Sequence, residues 1–234
     1  MKQIRIIAVK EFKDYFISPI AYIVISLFLI VTGWFFFSTF FIYGRADLRD
    51  FFALLPIVFS FIIPAITMRL FAEEKNVGSY ETLLTMPVSF SDIAIGKFLG
   101  ATFFAASLLI PTLFYPLSIA FIGDLDPGPV IGGYLGAVLL AAAYCALGIL
   151  ASAVTRNQII AFIIGCSLCF TLTIVDKLLF FMPTGIIAVA QYLGADAHFM
   201  NIAKGVIDSR DILYFISVVF ICLFATRIVM HEKN

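Results

Sequence analysis

The chain has 234 residues, 62% of them hydrophobic and 13% charged, with 15 basic against 15 acidic residues and a mean hydropathy of +1.09. A soluble domain of this length needs far more polar surface. The chain therefore reads as an all-α integral membrane protein, and its zero net charge gives no sign of nucleic-acid binding.

Residues Met1 to Ser18 mix charged and apolar side chains. Ile4, Ile7, Phe12, Tyr15 and Phe16 can share one helical face, with Lys2, Arg5, Lys10 and Lys13 on or near the other. This predicts an N-terminal interfacial elbow helix over residues 1–19, lying on the membrane surface. The basic flank of an ordinary span is the alternative. Ser18-Pro19 ends the pattern. The apolar run from Ile20 is too long for the core of a cleaved signal.

Six spans follow: Ile20 to Tyr43, Phe51 to Thr67, Ile93 to Ile122, Val130 to Val154, Ile159 to Val175 and Ile212 to Val229. Each is close to the length a bilayer core demands. With the N-terminus inside, the inner loops and ends hold Lys2, Arg5, Lys10, Lys13, Arg69, Lys75, Lys97, Arg156, Arg227 and Lys233. Only Arg45, Arg49, Lys177, Lys204 and Arg210 lie outside. That bias predicts both termini in the cytoplasm.

Pro111 and Pro116 predict a kinked or broken third span. The fourth carries Gly133, Ala137, Ala141 and Cys145 four apart, and the fifth repeats the device with Ala161, Gly165 and Cys169. Small residues at this spacing let helices approach closely. Packing within one subunit and contact between subunits both satisfy it. Ala161, Gly165 and Cys169 are the candidates for a subunit interface, with the first span beside them. Residues 176–211 are too long for a turn. Leu178 to Met182 and Ile186 to Tyr192 are apolar but too short to cross, and Pro183 and Gly185 interrupt them. Two re-entrant helices dipping back into the outer leaflet are expected.

Catalytic chemistry is absent from the pattern. Gly96-Lys97 is no P-loop, because Ser91 stands where its first glycine would be. Ser/His/Asp sets, HExxH and carboxylate clusters at membrane depth are missing too. The chain is not expected to be an enzyme, to bind a metal or to hold a cofactor. Cys145, Cys166, Cys169 and Cys222 fall in apolar runs and read as packing residues rather than disulfide or metal ligands. His198 and His231 are expected to be surface histidines. With no charge near the middle of any span, the relay of a self-powered carrier is missing. Energy must enter from elsewhere.

The entry point expected is residues 69–92, the longest polar break on the inner face. Val77-Gly78 makes a turn. Ser79 can cap a short helix from Tyr80 to Thr85, with Glu81 in its first turn and Leu83 and Leu84 on its apolar side. Pro87 stops it. Ser89, with Asp92 three residues on, caps the helix that runs through Lys97 into the third span. The acid pair Glu73-Glu74 with Gly78, Glu81, Leu84 and Pro87 would shape a docking surface. An ordinary amphipathic loop helix fits the same residues.

The run FIIPAITMRLFAEEKNVGSYETLLTMPVSFSDIAIGKFLG resembles the signature of type-two ATP-binding cassette (ABC) exporter permeases, with an acid pair, Gly, Glu, Leu-Leu, Pro and Gly-Lys at this spacing. KEFKDYFISPIAYIV and HFMNIAKGVIDSRDILYF resemble the gliding-motility-type branch. Gly78-Ser79 stands where the family usually has Gly-Thr and keeps the capping hydroxyl. The resemblance implies one permease domain over 1–234, with six spans, the elbow helix, a coupling helix after span two and re-entrant helices before span six. It implies a second permease, identical or homologous, and two copies of a separate ABC ATPase that carry the ATP and magnesium. It places the protein in a bacterial cytoplasmic membrane, among lipids. Two functions follow from it: an ATP-driven exporter permease, or a mechanotransmitter that passes ATP energy to an extracytoplasmic accessory protein through residues 176–211.

Overall fold

A chain this apolar must satisfy its backbone polar groups internally, and helices do so. The computed structural model describes residues 2–43, 47–79, 88–121, 125–178, 192–206 and 208–232. Among them every regular element is a helix: α1 (Lys2–Ile17), α2 (Pro19–Tyr43), α3 (Arg49–Thr67), α4 (Arg69–Val77), α5 (Phe90–Leu109), α6 (Phe114–Ala120), α7 (Pro127–Val154), α8 (Gln158–Ile174), α9 (Ala195–Ala203) and α10 (Ser209–Glu232).

Five stretches of described helix are long and apolar enough to cross a membrane: Pro19–Phe40, Arg49–Val77, Phe90–Ala120, Pro127–Val154 and Ser209–His231. The remaining candidate, α8, has 17 residues, about 25 Å at 1.5 Å per residue, the lower end of spanning length. The two ends of the chain meet at one end of the bundle. The ring of His231 lies 6.1 Å from that of Phe90 at the start of α5, and Ile7 packs on Gly96 one to two turns further along.

Sequence punctuation sets the helix ends. Ser89 caps α5 by accepting from the Asp92 amide at 3.1 Å, as expected. Asp126 and Asn157 cap α7 and α8 in the same way. Pro111 breaks the third span: α5 stops at Leu109, Pro111–Leu113 form a 3₁₀ turn, and α6 resumes at Phe114.

The core is centred on α7, which packs against α3, α5, α8, α9 and α10. Its small residues are the reason. A Cβ on Gly133 would sit 2.3 Å from the Phe52 ring, and Gly148 is closed by Thr67 in the same way. Ala137, Ala141 and Cys145 are all buried.

The matching stripe on α8 corrects an expectation. Ala161 and Cys169 are buried within the subunit, and Gly165 faces Pro64 and Ala151, with a Cβ there 3.1 Å from the Pro64 side chain. A surface filled by α3 and α7 is not free to meet a second subunit, so these three residues are internal packing. The exposed side of α8 carries Ile159, Ile160 and Ile163 instead.

The apolar side of α1, the expected elbow helix, packs on protein. Ile7 and the Ile4 carbonyl lie over Gly96, and Glu11 and the Ala8 carbonyl lie over Gly100. Tyr15 stacks on Phe104 at 4.5 Å, with the ring of Phe16 5.5 Å from it. The contacts advance by about four residues on both helices together, so α1 runs alongside α5 in the same direction. The two glycines permit this: a Cβ at either would approach α1 to 2.7 Å.

Candidate functional site

Helices α1, α4 and α5 converge where α3 gives way to α4. The break at Met68 leaves the first amides of α4 without partners in their own helix. Ser152, near the end of α7, supplies them. Its hydroxyl accepts from the amides of Phe71 and Ala72, each at 3.0 Å, and donates to the Met68 carbonyl at 2.7 Å. One side chain from a distant helix thus caps α4. Lys75 repays the contact by donating to the Ala153 carbonyl, where the end of α7 favours a cation.

With α4 so placed, Glu74 points inward and Glu73 stays exposed. Lys97, only 1% exposed, donates to Glu74 Oε1 at 2.6 Å and to Glu11 Oε1 at 3.0 Å. Its ammonium also lies 5.3 Å from the centre of the Phe71 ring. A buried lysine is costly alone and tolerable with such partners. Here the partners come from two other helices, so one cation ties α1, α4 and α5 together. Tyr15 adds a second tie, donating to the Ile66 carbonyl at 3.1 Å, with the Arg69 guanidinium 5.5 Å above its ring. Burial pushes the Tyr15 phenol well above its usual range, which keeps the donor proton in place.

The surface over this joint is a charged crevice of about 290 Å³, lined among others by Asp14, Arg69, Glu73 and Ser79. Gly78 closes α4 with φ of 81°, the left-handed conformation that favours glycine. The Ser79 hydroxyl turns back to donate to the Glu74 carbonyl at 3.4 Å. The helix expected from Tyr80 to Thr85, with Glu81 and Leu84, and the stop at Pro87 lie outside the described residues.

The structure brings Glu73, Glu74 and Lys97 of the one motif together with residues that the sequence had not joined to them: Glu11, Tyr15 and Ser152. One signal was available. Lys97 sits inside the apolar run IAIGKFLG, and a lysine there requires a carboxylate.

A second polar cluster lies at the opposite end, and there His198 is a correction. It is 8% exposed rather than a surface residue. Its Nδ1 lies 2.6 Å from Asp211 Oδ1, its Nε2 lies 3.2 Å from the Tyr192 carbonyl, and its ring stacks on Tyr214 at 4.2 Å. Each ring nitrogen thus faces an oxygen. Asp176, just past α8, accepts from the Ala197 amide at 2.8 Å and caps α9. Burial raises its carboxyl pKa, with the nearby Asp196 adding to the shift. Residues 179–191, where most of the re-entrant pair was expected, lie outside the described residues.

Comparison with protein families matches residues 5–191 to the model of the ABC-2 family transporter protein. The chain belongs to the ABC-2 transporter family. The match takes in α1 from Arg5 on, the charge joint and the whole of residues 69–92. This ABC-2 protein is therefore a multi-pass membrane protein and a permease subunit of an ABC transporter. Members of the family generally work with ABC ATPase subunits and are often dimeric. Comparison with curated proteins gives no significant match.

Proposed function

We propose that this ABC-2 permease is the membrane subunit of an ATP-driven exporter in a bacterial cytoplasmic membrane. It works beside a second permease, with both termini inside, and two copies of a separate ABC ATPase dock on residues 69–92. One observation carries the reading: Lys97 joins α4, which leads directly into the docking segment, to the third span and to α1. A push on the segment beyond Gly78 would reach α4 first. Displacing α4 strains a buried charge pair, so α1 and α5 must follow or the pair must break.

The test is capture of native partners on the tagged full-length chain, identification by mass spectrometry, and reconstitution. An ABC ATPase should be recovered. Leu83→Pro should break the helix expected from Tyr80 to Thr85, at about 3 kcal/mol of local stability. The spans should still insert, while ATP hydrolysis is lost from output. Recovery of no ATPase, or unchanged partner binding and output in that variant, overturns the reading. ATPase activity that depends on an extracytoplasmic protein, with no solute moved, would favour the mechanotransmitter instead.

A further inference from the structure

On the side of α1 away from the charge joint, a groove of about 940 Å³ runs between α1 and α5. Its walls are Ala8 and Phe12 on one helix and Ile95, Leu99, Phe103 and Ile110 along the other. From Ile95 to Ile110 it follows one helix face for 15 residues, about 22 Å at 1.5 Å per residue. Phe103 and Ile110 are 58% and 64% exposed, so the groove is open along its length. Arg5 is its single charged lining residue, and it stands at one end.

The charge at that end is unspent. Of the acids on α1, Glu11 is held by Lys97, and Asp14 faces Lys10 at 3.9 Å. Arg5 has no ion-pair partner among the described residues, and Lys2 and Lys13 are exposed on the same helix. A long apolar groove open to the side, with the Arg5 guanidinium at one end, matches the shape and charge of a phospholipid. The guanidinium fork suits a phosphate.

We propose that this groove binds one acyl chain of an anionic phospholipid, with Arg5 holding the headgroup. The lipid would then lie against the face of α1 that carries Ala8 and Phe12, beside the one that carries Glu11. It would fill the space beside a helix that is held to α5 by two glycine contacts, an aromatic stack and the Glu11–Lys97 pair. The site depends on α1 and α5 alone and stands whether or not an ATPase docks on residues 69–92.

The test uses the full-length protein in vesicles made of equal parts phosphatidylcholine and phosphatidylglycerol. A photoreactive group sits on the acyl chain of one lipid or the other. Adducts on the peptide spanning Ile95 to Ile110 are compared with adducts on the exposed face of α2, from Ile23 to Trp34. The phosphatidylglycerol probe should mark the α5 peptide preferentially, and the phosphatidylcholine probe should not. Arg5→Gln changes an exposed side chain, so the fold should survive. It should lower the phosphatidylglycerol preference about five-fold, the equivalent of one surface cation. Ala106→Phe, which fills the groove from α5, should lower labelling by both probes. Equal labelling of α2 and α5, or no effect of either variant, overturns the site. Cross-linking of two copies through Phe103→Cys would instead assign the groove to a second copy of this chain.

Discussion

The two ends of the bundle use the same device with different reach. At one end Ser152 caps α4; at the other Asp176 caps α9, and in each case the cap comes from outside the helix it completes. Each cap then lies beside a buried polar side chain. Lys97 finds its partners 86 and 23 residues away, on α1 and α4. His198 finds its partners 13 and 6 residues away, at Asp211 and Tyr192. The first is a joint between three separate helices; the second is a local clasp between α9 and α10. Under the proposed function a push on α4 would pass to α1 and α5 through this one charge, which several elements satisfy together. Glu74 Oε2 lacks a hydrogen-bond donor among the described residues at the first end, and Asp176, Asp196 and Asp211 each keep one such buried oxygen at the second.

The comparison breaks most sharply at Lys97. Lys97→Met leaves Glu11 and Glu74 inside without their cation, and removing one member of such a pair costs about 3–5 kcal/mol. The purified variant should melt well below wild type in a thermal denaturation assay. Adding Glu11→Gln and Glu74→Gln should restore most of that loss, because no buried charge is then left alone. A triple variant as unstable as the single one would show that Lys97 acts through packing.

Gly100→Ala is the next largest. The new Cβ would meet Glu11 at 2.7 Å and the Ala8 carbonyl at 3.1 Å, and overpacking of this kind costs about 1–3 kcal/mol. Loosened α1 should appear as faster amide exchange over Lys2–Ile17, with exchange in α9 unchanged. Faster exchange in both places would mean that the two ends are not separate units.

Ser152→Ala removes a cap and should cost about 1 kcal/mol. Its signature is early exchange at Phe71 and Ala72, the two amides it serves. Ser152→Thr keeps the hydroxyl and should retain much of the protection.

The smallest effect sharpens the second end. Burial raises the Asp176 carboxyl above its ordinary 3.8. An acid raised on folding contributes stability that is fully present below the unfolded value and lost as pH rises through the folded one. Asp176→Asn keeps an acceptor for the Ala197 amide and removes this titration. The variant should therefore gain stability relative to wild type as pH rises above the ordinary carboxylate range. A constant difference in melting temperature at every pH would count against the buried carboxylate.

Composition and spacing by themselves determined the class of this protein. Long apolar runs admit only helices in a bilayer, prolines and capping residues mark where those helices stop, and the motif around Glu73, Glu74 and Gly78 pointed to the family. These are local properties, readable over one or two turns. The tertiary structure alone decided what the helices do to each other. A stripe such as Ala161, Gly165 and Cys169 tells that something comes close without telling what, and here it is Pro64 and Ala151 of the same chain. Glu74 and Glu73 are neighbours in sequence with opposite surroundings, because a helix turns about 100° per residue and only packing sets which face is inside. Lys97, Glu11 and Ser152 became one site because a buried charge or an open helix end takes its partner from whichever chain segment lies within hydrogen-bond reach, and that distance is measured in space rather than along the chain.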